Sequence, residues 1–213
     1  MKIIIPYDPP AARFRPELER SLLLCSVGEN ELIIIEKCPG MTNNVQDFYN
    51  KTDYAVRNFC QDEDIIFIGN SDIIFGPEWD RGIEDLIRNG EVDFISSANM
   101  MNEKTAGFRE EDYQKGVLTI PFNNPDDFYR RVIHIQGDLL INIRINGGIP
   151  FIKGLHFVPI ITTKKKYLEL LAGQPFVKIG DVEFQKKAVE KYKCLISLKS
   201  WIFHYAGPSW RTP

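Results

Sequence analysis

Asn70-Ser71-Asp72 is the stretch with the clearest chemical potential in these 213 residues. Two oxygen-bearing side chains spaced by one residue suit a hard divalent cation, which prefers oxygen ligands. The triplet closes the apolar run Ile65-Ile66-Phe67-Ile68-Gly69, which reads as a buried strand with polar residues at its tip. Ligands of open α/β sheets bind outside the carboxyl ends of the strands, so a metal–diphosphate corner is expected here. Asn, Ser and Asp are also favoured in ordinary turns by local side-chain hydrogen bonds. The position of the triplet in the chain has to separate the two readings.

Other chemistry-bearing residue types are less specific. Cys25, Cys38, Cys60 and Cys194 form no CxxC pair and have no histidines at zinc spacing, so they read as buried free thiols of a reducing compartment. His134 and His156 lie on apolar strand patterns and read as core or rim residues, and Lys164-Lys165-Lys166 as the solvated start of a helix. A net charge of −3 argues against a nucleic-acid partner or an anionic membrane. Phosphate binding is therefore expected to be local. Ile3-Ile4-Ile5, stopped by Pro6, is too short for a signal core or a membrane span, and the expectation is a soluble, cytoplasmic protein.

The elements that must position these residues follow from periodicity. Lys2–Pro6 and Leu32–Ile35 are continuous apolar runs and read as strands buried on both faces. A helix is expected from about Pro16 to Cys25, with proline at its first position. A second helix follows Asn43-Asn44, with the stripe Val45, Phe48, Tyr49, Thr52, Ala55, Val56 and Phe59. Then come the strand Asp64–Ile68, a helix Glu78–Asn89 with Trp79, Ile83, Leu86 and Ile87 inward, and a strand Val92–Ser97. Repeated βα units in under 100 residues predict an α/β fold with a mostly parallel central sheet flanked by helices.

Beyond Ala98 the pattern loosens. Asn99–Lys115 reads as a polar loop, and strands are expected at Val117–Pro121, Val132–Ile135, Leu139–Ile143 and Phe157–Ile161, with turns at Asn123-Asn124-Pro125 and Gly147-Gly148. Helices are expected at Lys164–Ala172 and at Asp181–Tyr192, the latter with Val182, Gln185, Ala188, Val189 and Tyr192 on one side. Cys194–Leu198 reads as a last strand, with Trp201–Tyr205 starting the tail. The ending at Trp210-Arg211-Thr212-Pro213, without a charged solvating tail, reads as that of a domain cut from a longer polypeptide.

The order of motifs resembles the GT-A glycosyltransferases, the family-2-like, nucleotide-sugar-dependent kind. The matching residues are the opening strand Ile3-Ile4-Ile5-Pro6-Tyr7, Glu36 after the second strand, and Arg57-Asn58 in the helix before the third. Asn70-Ser71-Asp72 stands for the DxD motif, Gly180-Asp181-Val182-Glu183-Phe184 for an acidic segment opening a late helix, and His204-Tyr205-Ala206-Gly207-Pro208-Ser209 for a downstream histidine. The order is also similar to glycosyltransferase domains of large algal (chlorella-type) DNA viruses, which would make this a viral protein working in the host cytoplasm. Two positions depart from the pattern: Asn70 replaces the first acid of DxD, and Gly180 replaces the Glu of a Glu-Asp pair.

The resemblance implies one GT-A domain over 1–213, with a nucleotide-sugar-binding half at 1–98 and an acceptor-binding, catalytic half at 99–213. It implies an inverting, hexosyltransferase-like enzyme moving a sugar from a nucleoside diphosphate sugar, UDP-linked, to a hydroxyl of a glycan or glycoprotein. Pro6, Tyr7, Asp8, Glu36, Arg57, Asn70 and Ser71 are the implied donor-binding residues, and Asp72 and His204 the implied ligands of Mn²⁺ or Mg²⁺. Asp181 is the implied general base, although an Asp at a helix start also serves as an N-cap. A nucleotidyltransferase would need a Gly-rich phosphate loop where Tyr7-Asp8-Pro9-Pro10 stands. Asn70 and Gly180 keep open a non-enzymatic alternative, a nucleotide- or carbohydrate-binding module of the same fold with reduced catalysis.

Overall fold

Alternate residues of the central strands feed two different cores, which explains the continuous apolar runs. Ile4, Ile66, Ile68 and Ile160 point into one buried cluster, while Ile3, Ile5, Ile65, Phe67 and Ile161 point into the other. Side chains alternate across a strand, so a strand covered on both faces must be apolar at every position. The structure, a computed structural model, describes residues 1–7, 14–41, 46–101, 117–119, 151–156 and 159–204. The expected strands at 132–135 and 139–143, the turns at 123–125 and 147–148, most of the polar loop, and Asp8 lie outside the described residues, as does the segment after His204.

In chain order the elements are β1 (Lys2–Pro6), α1 (Arg15–Cys25), β2 (Glu31–Ile35), α2 (Asp47–Phe59), β3 (Ile65–Ile68), β4 (Ile73–Phe75), α3 (Ile83–Arg88), β5 (Phe94–Met101), β6 (Val117–Thr119), β7 (Phe151–Lys153), β8 (Ile160–Thr163), α4 (Lys164–Leu171), α5 (Phe176–Lys191) and β9 (Cys194–His204). The sheet runs β2-β1-β3-β8-β5-β9-β4, with β6 on β5 and β7 on β9. β1, β2, β3, β5 and β9 point one way, and β8 and β4 run against them. One face is covered by α2, α4 and α5, through Ala55, Val56, Tyr167, Phe176 and Phe184. The other is covered by α1 and α3, through Leu18, Leu22, Ile83 and Ile87, together with Trp79.

The sheet curls where β3 passes to β4. Four inter-strand spacings, about 19 Å when flat, separate these strands in the sheet order, yet five residue steps of at most roughly 3.6 Å each join Ile68 to Ile73. Phe67 and Phe75, one on each strand, bring their rings within 5.4 Å, and both pack on Trp79 at 5.1 and 4.6 Å. A bulge in β9 makes the bend. Cys194 to Ser197 pair with Phe94 to Ser97, but the next pair is Ala98 with Trp201, so Leu198, Lys199 and Ser200 have no opposite number in β5. The extra residues are pinned by a 2.6 Å bond between the Ser97 and Ser200 hydroxyls and by the Trp201 indole N–H on the Leu198 carbonyl, at 2.8 Å. Bulges re-aim strands in this way.

Several local expectations are corrected. β4 was not anticipated, and Trp201 is not the start of a tail but a fully buried residue inside β9. α3 covers only Ile83–Arg88, because Glu78 and Gly82 take positive φ; Trp79 is buried in the turn before it. The apolar stripe of α5 is Phe184 and Ala188 rather than Val182, which is 76% exposed. Gly180 (φ 69, ψ 175) breaks the helix and resets its phase. On α2, Phe59 is exposed while Asp47, Lys51 and Asp53 are buried. β5 runs on to Met101, through positions read as loop, and β7 was not anticipated.

Candidate active site

The site is built where β3, β4 and β9 end or begin on the carboxyl edge of the sheet. The Gly69 N–H is held by the Ile4 carbonyl at 3.1 Å. A Cβ at Gly69 would stand 2.5 Å from the Phe67 ring and 2.8 Å from Ile73. Only glycine therefore lets the chain leave β3 under those side chains and turn Asn70-Ser71-Asp72 across the edge. β4 starts at once, and its first residue, Ile73, lies opposite His204, the last residue of β9. The β9 bulge sets this register: with the pairing offset of Cys194 and Phe94 carried on, His204 would fall opposite residue 104 rather than Met101.

Three sequence-predicted residues thus converge. His204 Nε2 lies 2.8 Å from the Asn70 amide and 3.2 Å from Asp72 Oδ1, and Asp72 is almost fully buried. One ring nitrogen cannot accept from one neighbour and donate to the other at the same time. If Nε2 accepts from the Asn70 N–H, its lone pair faces a carboxylate oxygen. If Nε2 carries hydrogen and donates to Asp72, the Asn70 amide must turn its oxygen inward, an orientation decided by its bonding partners. A cation beside Nε2 and Asp72 Oδ1 would relieve the same conflict, with the Asn70 oxygen as a third donor. Among the described residues no group of three or more His, Cys, Asp or Glu side chains could hold a metal. A carboxylate, an imidazole and an amide oxygen nevertheless fit an ion that takes its remaining ligands from phosphate and water, as Mg²⁺ does. Ser71, between Asn70 and Asp72 in the chain, is buried as well.

Around β1 a second set gathers. The Tyr7 N–H donates to the Ile35 carbonyl at 2.9 Å, which brings Tyr7 beside Glu36, just past β2. Arg15 ties them together. Its Nη1 donates to Glu36 at 2.9 Å, its Nε to Glu19 at 2.8 Å, and its guanidinium lies 5.7 Å from the centre of the Tyr7 ring. Buried Lys51 donates to the Tyr7 carbonyl at 2.6 Å. Arg15 and Lys51 were not singled out from the sequence. Lys51 falls off the apolar stripe of α2, so its burial left no signal, and Arg15 precedes the proline that marked the helix start.

Arg57 is not brought to this edge. It pairs with Asp53 one turn back, at 3.3 Å. Two residues on, the Phe59 carbonyl accepts from Lys2 at the start of β1, some five residues or about 16 Å of strand from Tyr7.

Asp181 reaches the carboxyl edge because of the break at Gly180. The Phe176 N–H is anchored on Asp53 at 3.2 Å, midway along α2. Asp181 meets Tyr49, one turn nearer the start of α2, so the chain climbs toward that edge and turns back at Gly180. Glycine is needed there, since φ 69 with ψ 175 is a region other residues avoid. This gives a structural reason for the departure from a Glu-Asp pair. Asp181 Oδ1 accepts from the Val182 N–H at 2.9 Å, and burial, then the charge of Asp181, push the Tyr49 phenol up. The four cysteines are free, and burial pushes the Cys25 and Cys60 thiols up to about 11 and Cys194 up to about 12.

No family model matches the sequence, and no curated protein does. Solved structures do match. S. aureus TarS superposes with a TM-score of 0.53 at 16% identity over 97% of this chain and 37% of that one. TarS residues 1–349, crystallised in complex with UDP-GlcNAc, gives 0.53 at 14% identity over 100% and 61%. GalNAc-T7, crystallised with UDP, GalNAc and Mn²⁺, gives 0.54 at 7% identity over 96% and 42%. The fold of this chain is therefore GT-A, and the chain spans well under half the length of TarS and of GalNAc-T7. No described helix is long and apolar enough to cross a membrane. The likeness to algal-virus domains draws no support from these comparisons.

Proposed function

We propose that this chain is an inverting glycosyltransferase domain that takes a UDP-linked sugar as donor and a hydroxyl of a glycan or glycoprotein as acceptor. The observation that carries the reading is the meeting of Asn70, Asp72 and His204 on the carboxyl edge of a GT-A sheet. Two solved structures similar to it in fold were crystallised with UDP-GlcNAc and with UDP, GalNAc and Mn²⁺.

The residues take distinct roles. Tyr7 and Glu36, braced by Arg15 and Lys51, receive the nucleobase and ribose, with Pro6 on the same strand end, Asp8 next to Tyr7 in the sequence, and Ser71 beside the diphosphate. Asp72 and His204 would hold Mn²⁺ or Mg²⁺, with Asn70 adding an amide oxygen. Such an ion, when bound, offsets the negative charge that develops on the departing diphosphate. Asp181 takes the proton from the attacking hydroxyl, and a single base facing the leaving group gives inversion in one displacement. Arg57 acts on this site only through its pairing with Asp53 in α2. The free thiols suit a reducing, cytoplasmic compartment.

Calorimetry of UDP-GlcNAc and other UDP-sugars, with and without Mn²⁺, tests the reading. Binding should require the ion and should weaken on the order of 10²-fold, about 2.7 kcal/mol, in Asp72→Ala. Equal affinity in that variant would remove Asp72 from the site.

A further inference from the structure

Three elements converge on Tyr7, the first residue past β1. Its N–H is tied to the end of β2 through the Ile35 carbonyl at 2.9 Å. Its ring faces the Arg15 guanidinium of α1, 5.7 Å from the ring centre. Its carbonyl accepts from the Lys51 ammonium of α2 at 2.6 Å. Lys51 is the costly member of the set. It is only 4% exposed, and taking an ammonium out of water is expensive unless the charge is paired.

The lysines that reach carbonyls on the opposite edge of the sheet offset that cost with acids. Lys2, on the Phe59 carbonyl, pairs with Asp64 at 3.4 Å and with Glu31 at 3.6 Å. Lys164, on the Cys60 carbonyl, pairs with Asp62 at 3.6 Å. Both also stay partly exposed. Among the described residues no acid lies within ion-pair distance of Lys51, and Asp47, buried one turn earlier on α2, forms no ion pair with it. A side chain kept only to hold the fold would be better apolar at this position, since removing the charge saves its desolvation. What the ammonium does provide is a fixed strand end. A binding surface ordered before its ligand arrives spares the cost of ordering it on binding.

We propose that Lys51 is a positioning residue for the donor nucleoside: its ammonium locks the Tyr7 carbonyl, and with it the end of β1, in the geometry that receives base and ribose, at a cost in stability. The inference rests on the proposed role of Tyr7.

Lys51→Met keeps the buried stem and removes the ammonium. In the full chain, amide hydrogen exchange at Tyr7, which reads local opening and needs no ligand, should speed about tenfold. Uridine binding, followed by ligand-observed NMR, and UDP binding with Mn²⁺, followed by calorimetry, should both weaken about tenfold. In turnover of UDP-GlcNAc the donor KM should rise while kcat holds. The melting temperature should stay level or rise. Lys164→Met, the same change on the opposite edge, is the control and should melt lower while binding as the parent does. Unchanged exchange at Tyr7 overturns the inference. So does a fall in melting temperature like that of Lys164→Met, which would make Lys51 a structural lysine. So does a loss confined to UDP, which would put the ammonium on the phosphates rather than behind Tyr7. The two levels separate on the parent: if it binds uridine and UDP and Lys51→Met binds them equally well, only the positioning role fails. If the parent binds neither, the donor site fails and takes this inference with it.

Discussion

The two edges of the sheet are both rich in charged and polar side chains, yet they are wired differently. On the amino edge opposite charges and backbone groups meet in several places. Lys2 donates to the Phe59 carbonyl and pairs with Asp64 and Glu31. Lys164 donates to the Cys60 carbonyl at 2.7 Å, so two lysines close the last turn of α2, where helix carbonyls lack partners. Asp80 accepts from the Val27 and Gly28 N–H groups and from the Asn30 amide, at 2.9, 3.0 and 2.7 Å. On the carboxyl edge, by contrast, Asn70 and Asp72 both gather on one imidazole nitrogen, that of His204. Complementary wiring holds a fold together, whereas an amide, a carboxylate and an imidazole gathered on one sheet edge are also a set that a cation and a diphosphate can use. Substitutions on the two edges should therefore separate into losses of activity and losses of stability.

The sharpest break is expected at Asp181→Asn. Removing a general base typically lowers the rate by about 10²–10⁴-fold, measurable as transfer under saturating donor, with the melting temperature close to that of the parent. A variant that loses several degrees as well would mean that Asp181 is chiefly a helix cap.

On the opposite edge Asp80→Ala should do the reverse. The carboxylate is buried, and its loss strands two backbone N–H groups and the Asn30 amide. Hydrogen bonds to a charged group contribute about 1.5–3 kcal/mol each, not additively. A loss of about 3 kcal/mol, roughly 6 to 12 °C in melting temperature for a chain of this size, is expected, with UDP-sugar affinity unchanged. Lys164→Met is the milder form of the same test. It removes one bond to the end of α2, keeps the buried stem, and should cost about 1 kcal/mol by chemical denaturation.

How much of this was legible in the sequence follows the physics of each signal. β1 was read with its observed limits, Lys2–Pro6, because a strand buried on both faces needs a continuous apolar run that a proline can end. β4 left no such trace. Three residues carry no period, and their partners lie about 130 positions later, beyond the reach of any local pattern. The inward face of α5 was misread because two three- to four-residue registers both hold apolar residues there: the one through Val182 and Val189 is exposed, and the one through Phe184 and Ala188 is buried. Asp72 and His204 were placed together only through the family resemblance and not through any local pattern, since the β9 bulge that aligns them spends three residues no motif marks. Arg57 shows the opposite error. The motif placed it near the donor, but α2 runs back against β1 and carries it to the far edge.

The smallest effect concerns Asp93, at the start of β5. Burial pushes its carboxyl up, but the Lys166 ammonium at 2.5 Å and the Lys193 N–H at 2.9 Å outweigh this and hold it below the ordinary value. A folded value below the unfolded one means the charged form is stabilised by folding, so the contribution is complete above the unfolded value of about 4 and is lost as pH falls through the folded one. The pair is partly exposed, and its contribution should stay below about 1 kcal/mol. Asp93→Asn should therefore melt slightly below the parent at pH 7, and the gap should close as both are acidified past the folded value. A gap that persists unchanged to pH 2 would assign Asp93 to packing and polar bonding rather than charge, and would weaken the view of this edge as one stabilised by complementary charges.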